Sequence, residues 1–178
     1  GDLSLAFLDE NGEVLADARV EVGTKDDAAL VAELVPLFDL HQPETLAFAH
    51  GKTTRTIVQR IRRALAAAGR YEGVLVVNES GAASYANGQL ARAELGDRSV
   101  PVRLAITLGR RLQDPLAVIL KVDPRHLGLG AEQGLVSKAN SRRVFDEAIE
   151  SCVAYCGAEV DRGHRIVLEH IPGLDKAA

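Results

Sequence analysis

The stretch Val74-Leu75-Val76-Val77-Asn78-Glu79-Ser80-Gly81-Ala82-Ala83 decides how this chain is read. Four apolar residues, mostly valine, run into a polar pair, and small residues then open a helical pattern. This β-branched density is that of a strand buried on both faces, as in the sheet of an α/β protein. Ser80 is placed to cap the following helix by accepting a bond from one of its orphan N–H groups. Glu79 is thereby predicted at the carboxyl end of a central strand, where open α/β sheets present their chemistry.

Upstream of it, Leu3, Leu5 and Phe7 alternate with small residues, Asn11-Gly12 supplies a turn, and Val14 to Val22 resumes strand character. This predicts a β-hairpin. Thr24-Lys25-Asp26-Asp27 has capping-box form before a helix carrying Leu30, Val31, Leu34, Val35 and Phe38, which Pro36 is expected to kink or shorten. A short strand at Thr45–Ala49 leads through Gly51-Lys52-Thr53 to a helix with Ile57, Val58, Ile61 and Leu65 on one side. Gly69 closes that helix. Gly51-Lys52-Thr53 lacks the earlier glycine of a phosphate loop, since Leu46 stands in its place, so a nucleotide site is not predicted.

Downstream, a helix is expected over residues 81–95. Leu104, Leu108, Leu112, Leu116 and Leu120 then recur every fourth residue as the buried stripe of one more. Residues 126–134 read as a glycine-punctuated loop, and 141–156 as a long helix with Val144, Phe145, Ala148, Ile149, Cys152 and Val153 inward. A last short helix is predicted near 167–170. Strands alternating with helices after an initial hairpin indicate an α/β fold with a mixed sheet flanked by helices, the pattern a ribonuclease H-like fold requires.

The chain has 178 residues, 47% of them hydrophobic, enough for a core without disulfides. No apolar run is long enough to span a membrane. Cys152 and Cys156 stand one helical turn apart, are expected to stay reduced in a cytoplasmic setting, and have no second cysteine pair to complete a metal site. With no methionine and a strand pattern from the first residues, the chain reads as a piece of a longer protein. A net charge of −4 means that nucleic-acid contact requires a local basic patch.

Several blocks carry a resemblance. Val77-Asn78-Glu79-Ser80-Gly81-Ala82-Ala83-Ser84-Tyr85 and Arg103-Leu104-Ala105-Ile106-Thr107-Leu108-Gly109-Arg110-Arg111-Leu112-Gln113-Asp114-Pro115-Leu116-Ala117 are similar to stretches of the Tex-type bacterial transcription accessory proteins. Lys121-Val122-Asp123-Pro124, Gly128-Leu129-Gly130, Asp146, Cys152-Val153 and Gly157 match at the same spacing, and Gly51 with Arg55 resembles a further turn. In that family the region is a YqgF-type, ribonuclease H-like domain followed by a helix-hairpin-helix domain. The resemblance implies residues 1–135 as the former and 136–178 as a helical extension toward the latter, with Ile171-Pro172-Gly173-Leu174-Asp175 at its approach. It also implies a leading, central strand with an Asp-Pro-Gly turn just before Leu3, which this chain does not contain. Gly130-Ala131-Glu132-Gln133-Gly134-Leu135 departs from the family by lacking its His and Asp.

Nucleases of this fold hold two divalent ions with three or four carboxylates. By resemblance Glu79 and Asp114 stand where YqgF-type resolvases carry their second and third acids, the first belonging to the missing strand. These two are the candidate catalytic and metal-ligating residues, here as remnants. Mg²⁺ or Mn²⁺ is expected only if cleavage occurs, and no other cofactor is expected. Asp114 before Pro115 also has the form of an N-cap, or of a partner for Arg110 or Arg111. Arg55, Arg103, Arg110 and Arg111 are the candidate nucleic-acid contacts, although most such arginines belong to solvated helix faces. His164 and His170 are expected at the surface. The reading is a non-catalytic module of a nucleic-acid-binding transcription accessory protein. Its partners would be RNA or DNA through the full-length protein, with RNA polymerase machinery a further partner and no membrane. The alternatives are a metal-dependent nuclease, and an interaction scaffold for the transcription machinery.

Overall fold

A computed structural model describes residues 2–23, 25–158, 164–171 and 173–174. A hairpin of β1 (Asp2–Leu8) and β2 (Val14–Glu21) precedes α1 (Asp27–His41), β3 (Thr45–Ala49), α2 (Lys52–Ala67) and β4 (Gly73–Val77). From there the described chain is helical: α3 (Ala82–Asn87), α4 (Gln89–Leu95), α5 (Val100–Gln113), α6 (Pro115–Leu120), α7 (Lys138–Cys156) and α8 (Arg165–Leu168), with single 3-10 turns at Pro124–His126 and Ala131–Leu135. This is an α/β fold of ribonuclease H-like type, with small sheets flanked by helices. No helix-hairpin-helix stands among the described residues; Pro172 and Asp175 of its expected approach lie outside them.

The strands form two separate ladders. β1 and β2 pair antiparallel, and the Asp9 carboxylate shapes their turn by accepting from the backbone N–H of Asn11 and Glu13 at 2.9 and 2.8 Å. Gly12 takes the left-handed conformation there, as an Asn-Gly turn demands. β3 and β4 pair parallel in register from Thr45↔Gly73 to Ala49↔Val77. Both ladders lie between the same two helical layers. Leu3, Leu5 and Phe7 of β1, with Leu46 and Phe48 of β3, pack into the cluster of Leu30, Leu34, Phe38 and Ile61 from α1 and α2. Ala6 and Leu8 face the opposite way onto Tyr85 and Ile106, while Ala47 and Ala49 face Leu104, Leu108 and Leu112 of α5. Alternate residues thus serve opposite faces, as the period of a strand requires. Between β1 and β3 lies a slot of about 730 Å³.

Several expectations are corrected. β4 is not buried on both faces: Leu75 and Val76 are 49% and 58% exposed, and only Val77 is buried. Among the described residues it is an edge strand paired with β3, and the C-terminal helices pack on α6 through Ala117, Leu120, Ile149, Val153 and Val167. α1 runs through Pro36 to His41, because Leu30, Leu34 and Phe38 anchor both of its halves in the core. Asp26 caps it, accepting from Ala29 N–H at 2.8 Å, and Thr24 lies outside the described residues. The leucine stripe belongs to two helices. Pro115 forces Asp114 out of the helical region, to φ −136° and ψ 86°, and splits α5 from α6. Gly88 likewise separates α3 from α4. On α7, Ile149 and Val153 are buried, whereas Val144, Cys152 and Cys156 are exposed.

Candidate functional site

The turn after β4 holds the residues that the sequence singled out. Asn78 Oδ1 accepts from the Ser80 backbone N–H at 2.8 Å and folds the chain back on itself. Gly81, not Ser80, is the N-cap of α3, and it offers no side-chain bond. Its φ is +74°, and a Cβ there would stand 2.3 Å from Val122 Cγ1, so the turn admits only glycine. Glu79 is exposed on this turn.

Arg111 reaches the same turn from α5. It is 6% exposed, and its Nη1 donates to the carbonyls of Asn78 and Ser80, each at 2.8 Å. These are the carbonyls of the residues on either side of Glu79. The Nε and Nη2 of Arg111 find no partner among the described residues. Burial pushes its pKa down, with no neighbouring carboxylate offsetting the cost. Arg103, two turns earlier on α5, is also buried, and Thr107 between them donates to the Arg103 carbonyl at 2.7 Å.

Asp114 fulfils the N-cap reading. Its Oδ1 accepts from the Ala117 N–H at 2.9 Å at the start of α6. It does not pair with its arginine neighbours. Arg110 donates to the Gly12 carbonyl at 2.8 Å and stands 3.8 Å from Glu94, while Arg111 serves the Glu79 turn. A guanidinium braces the turn bearing Glu79 through backbone carbonyls, and one Asp114 oxygen is committed to a helix cap. Among the described residues no group of three or more His, Cys, Asp or Glu side chains could hold a metal.

Of the candidate nucleic-acid residues, Arg55 is exposed on α2, Arg110 is half-buried, and Arg103 and Arg111 are buried. α2 presents Arg62 and Arg63 to solvent as well. Arg60 is tied down by the carbonyls of Val22 and Lys25, both at 2.6 Å.

A polar cluster that the sequence did not reveal joins α3, α4, α5 and the end of α6. Tyr85 donates its hydroxyl to Glu94 Oε2 at 2.7 Å, and Lys121 Nζ donates to the same oxygen at 2.9 Å. Burial, then the Glu94 bond, raises the Tyr85 pKa well above its ordinary value. Burial would raise that of Glu94, but hydrogen bonds from Lys121 and Tyr85 and the charges of Lys121 and Arg110 outweigh it, leaving the pKa lowered. No spacing could have announced this group, since its members are separated by whole elements. Ser84 Oγ and His126 Nδ1 also meet, at 2.9 Å, through the loop read only as glycine-punctuated. His170 is half-buried, its Nδ1 2.8 Å from the Ile166 carbonyl oxygen, while His164 is exposed.

Residues 3–113 match the family described as the Tex protein YqgF-like domain. The chain is 30% identical over 177 residues to the protein named tex of Bordetella pertussis, covering 96% of this chain and 22% of that protein. It is 29% identical to the transcriptional accessory protein Tex of Neisseria gonorrhoeae, with 96% and 22% covered. It is also 34% identical over 100 residues to the human S1 RNA-binding domain-containing protein 1, where 56% of this chain and 10% of that protein are covered. The chain therefore spans about a fifth of the length of the bacterial relatives named here.

Proposed function

From the premise that the chain belongs to the Tex YqgF-like domain family, we propose that it is a non-catalytic, ribonuclease H-like module of a cytoplasmic, nucleic-acid-binding transcription accessory protein. The observation that carries this reading is Arg111. A buried guanidinium bonded to the carbonyls flanking Glu79 repels a divalent cation from the carboxylate that a nuclease would need there. Asp114, the other remnant acid, has a structural task that accounts for its presence.

Nucleic acid is contacted at the exposed face of α2, through Arg55, Arg62 and Arg63. Arg111 braces the Glu79 turn instead, and Arg103 is buried. The RNA-binding name of the human relative supports RNA as the ligand, and RNA polymerase machinery is the further partner. Residues 1–135 form the ribonuclease H-like unit, and 136–178 the extension toward the next domain.

The experiment measures binding of single-stranded RNA by the full-length protein across a salt series. Reversing Arg55, Arg62 and Arg63 to glutamate weakens binding and lowers the salt slope by about one unit for each phosphate no longer neutralised. Parallel incubation with Mg²⁺ or Mn²⁺ leaves single-stranded and branched substrates intact. Cleavage that disappears in Glu79→Gln and Asp114→Asn overturns the non-catalytic reading.

The exposed Leu75 and Val76 on β4, with Tyr71 at 84% exposure before it, favour a scaffold role as the second reading. In that case Leu75→Asp abolishes association with purified RNA polymerase and leaves RNA affinity unchanged.

A further inference from the structure

We propose that the solvent-facing side of α7 is a docking surface for α7 of a second copy of this chain, the two helices running antiparallel about a two-fold axis near Asp146. The inference stands apart from the nucleic-acid reading and rests on α7 itself. This helix carries two apolar stripes. Phe145, Ile149 and Val153 pack into the cluster shared with α6 and α8. Val144, Ala148, Cys152 and Tyr155 follow one another at the spacing of neighbours on one helix face, and all four are exposed, Tyr155 at 93%. The residue pattern therefore provides for burial on two sides, and the described fold supplies it on one.

Charge selects the occupant. Lys138, Arg142 and Arg143 come first along α7, and Asp146, Glu147 and Glu150 follow. This order works against the helix itself. A base in the first turn opposes the macrodipole, and the pairs Arg142–Asp146 and Arg143–Glu147 run base before acid, the weaker orientation at this spacing. An antiparallel second copy gains from the same order, because the basic end of each helix then lies beside the acidic stretch of the other. A parallel copy would align like charges.

The apolar groups obey the same symmetry. Leu135, 87% exposed, and Val136 stand just before the Ser137 cap at one end of α7, and Tyr155 stands at the other. An antiparallel pair centred near Asp146 sets Tyr155 against Val136 of the second copy, and Val144 against Ala148, so a larger side chain meets a smaller one each time. A two-fold contact is self-complementary in this way, each copy receiving what it offers. From Val144 to Tyr155 the stripe is about 17 Å long at a rise of about 1.5 Å per residue. That makes a contact at the low end of specific interfaces, below about 1,200 Å² of buried surface, and the pair therefore forms and separates with protein concentration.

Sedimentation velocity of the full-length protein between about 1 and 100 μM tests this, a span suited to weak association. The expected result is a shift from monomer to dimer with concentration. Ala148→Arg places a charge at the centre of the stripe without touching the core, and raises the dissociation constant at least about tenfold. One variant has Arg142 and Arg143 changed to glutamate, and another has Glu147 and Glu150 changed to arginine. Each alone is expected to stay monomeric, while a one-to-one mixture of the two associates. Circular dichroism of every variant separates loss of docking from loss of helix. A full-length protein that is monomeric at every concentration overturns the proposal. So does a dimer that Ala148→Arg leaves intact, or a mixture of the two charge variants that fails to associate.

Discussion

Replacing Glu94 with glutamine tests whether the cluster around it is held by charge. Glu94 Oε2 receives the Lys121 ammonium at 2.9 Å and the Tyr85 hydroxyl at 2.7 Å, with Arg110 at 3.8 Å. The Lys121 side chain is only 7% exposed, so removing the carboxylate charge leaves an ammonium with little access to water. Breaking a buried pair costs about 3–5 kcal/mol. Glutamine still accepts one hydrogen bond, and the Glu94 side chain is 27% exposed, so the expected loss is nearer about 2 kcal/mol at pH 7. The assay is urea unfolding of both proteins across pH. The folded pKa of Glu94 lies below its ordinary value of 4.5, so the carboxylate's contribution is fully present above that value and disappears as pH falls through the lowered one. The difference between Glu94→Gln and the parent must then shrink in acid, and a second change, Lys121→Met, must recover most of the loss at pH 7. Equal stability at pH 7, or a deficit that persists unchanged in acid, would refute the argument.

The remaining predictions concern the turns. Asp114→Ala removes the cap of α6 and costs about 1 kcal/mol in denaturant unfolding, while Asp114→Asn retains most of that stability. Gly81→Ala forces a Cβ into Val122 at a left-handed position and destabilises by about 2 kcal/mol or more, whereas Gly69→Ala, also left-handed but in open space, costs less. Hydrogen bonds from the Arg125 side chain and backbone hold the Asp123 carboxyl down to about 2, so in a carbon-detected NMR titration its signal moves only in strong acid. Arg125→Ala brings that titration back toward the ordinary 3.8.

Much of the local architecture was legible in residue order, because its causes are local. Asn11-Gly12 makes the hairpin turn through glycine's freedom at positive φ, and Asp114-Pro115 makes a cap because proline excludes its predecessor from the helix. The same Pro115 divided the leucine stripe, which periodicity alone had joined. Pro36 failed to break α1 because burial of Leu30, Leu34 and Phe38 outweighs the missing backbone bond. Ser80 had the chemistry of a cap but the wrong place, since the left-handed turn put Gly81 at the helix start.

The sequence by itself determined the order of the strands, the family and the two candidate acids, all properties written within short windows. Tertiary structure alone decided what surrounds those acids. Arg111 reads in sequence like any arginine on a basic helix, and only the docking of α5 against the Glu79 turn makes it a buried brace on backbone carbonyls. Tyr85, Glu94 and Lys121 meet through the packing of four helices, and β4 is left exposed while the last helices pack on α6. The strand pattern of Val74–Val77 reports an apolar segment, but whether it is covered depends on partners far away in the chain, and that non-local information is absent from its residues.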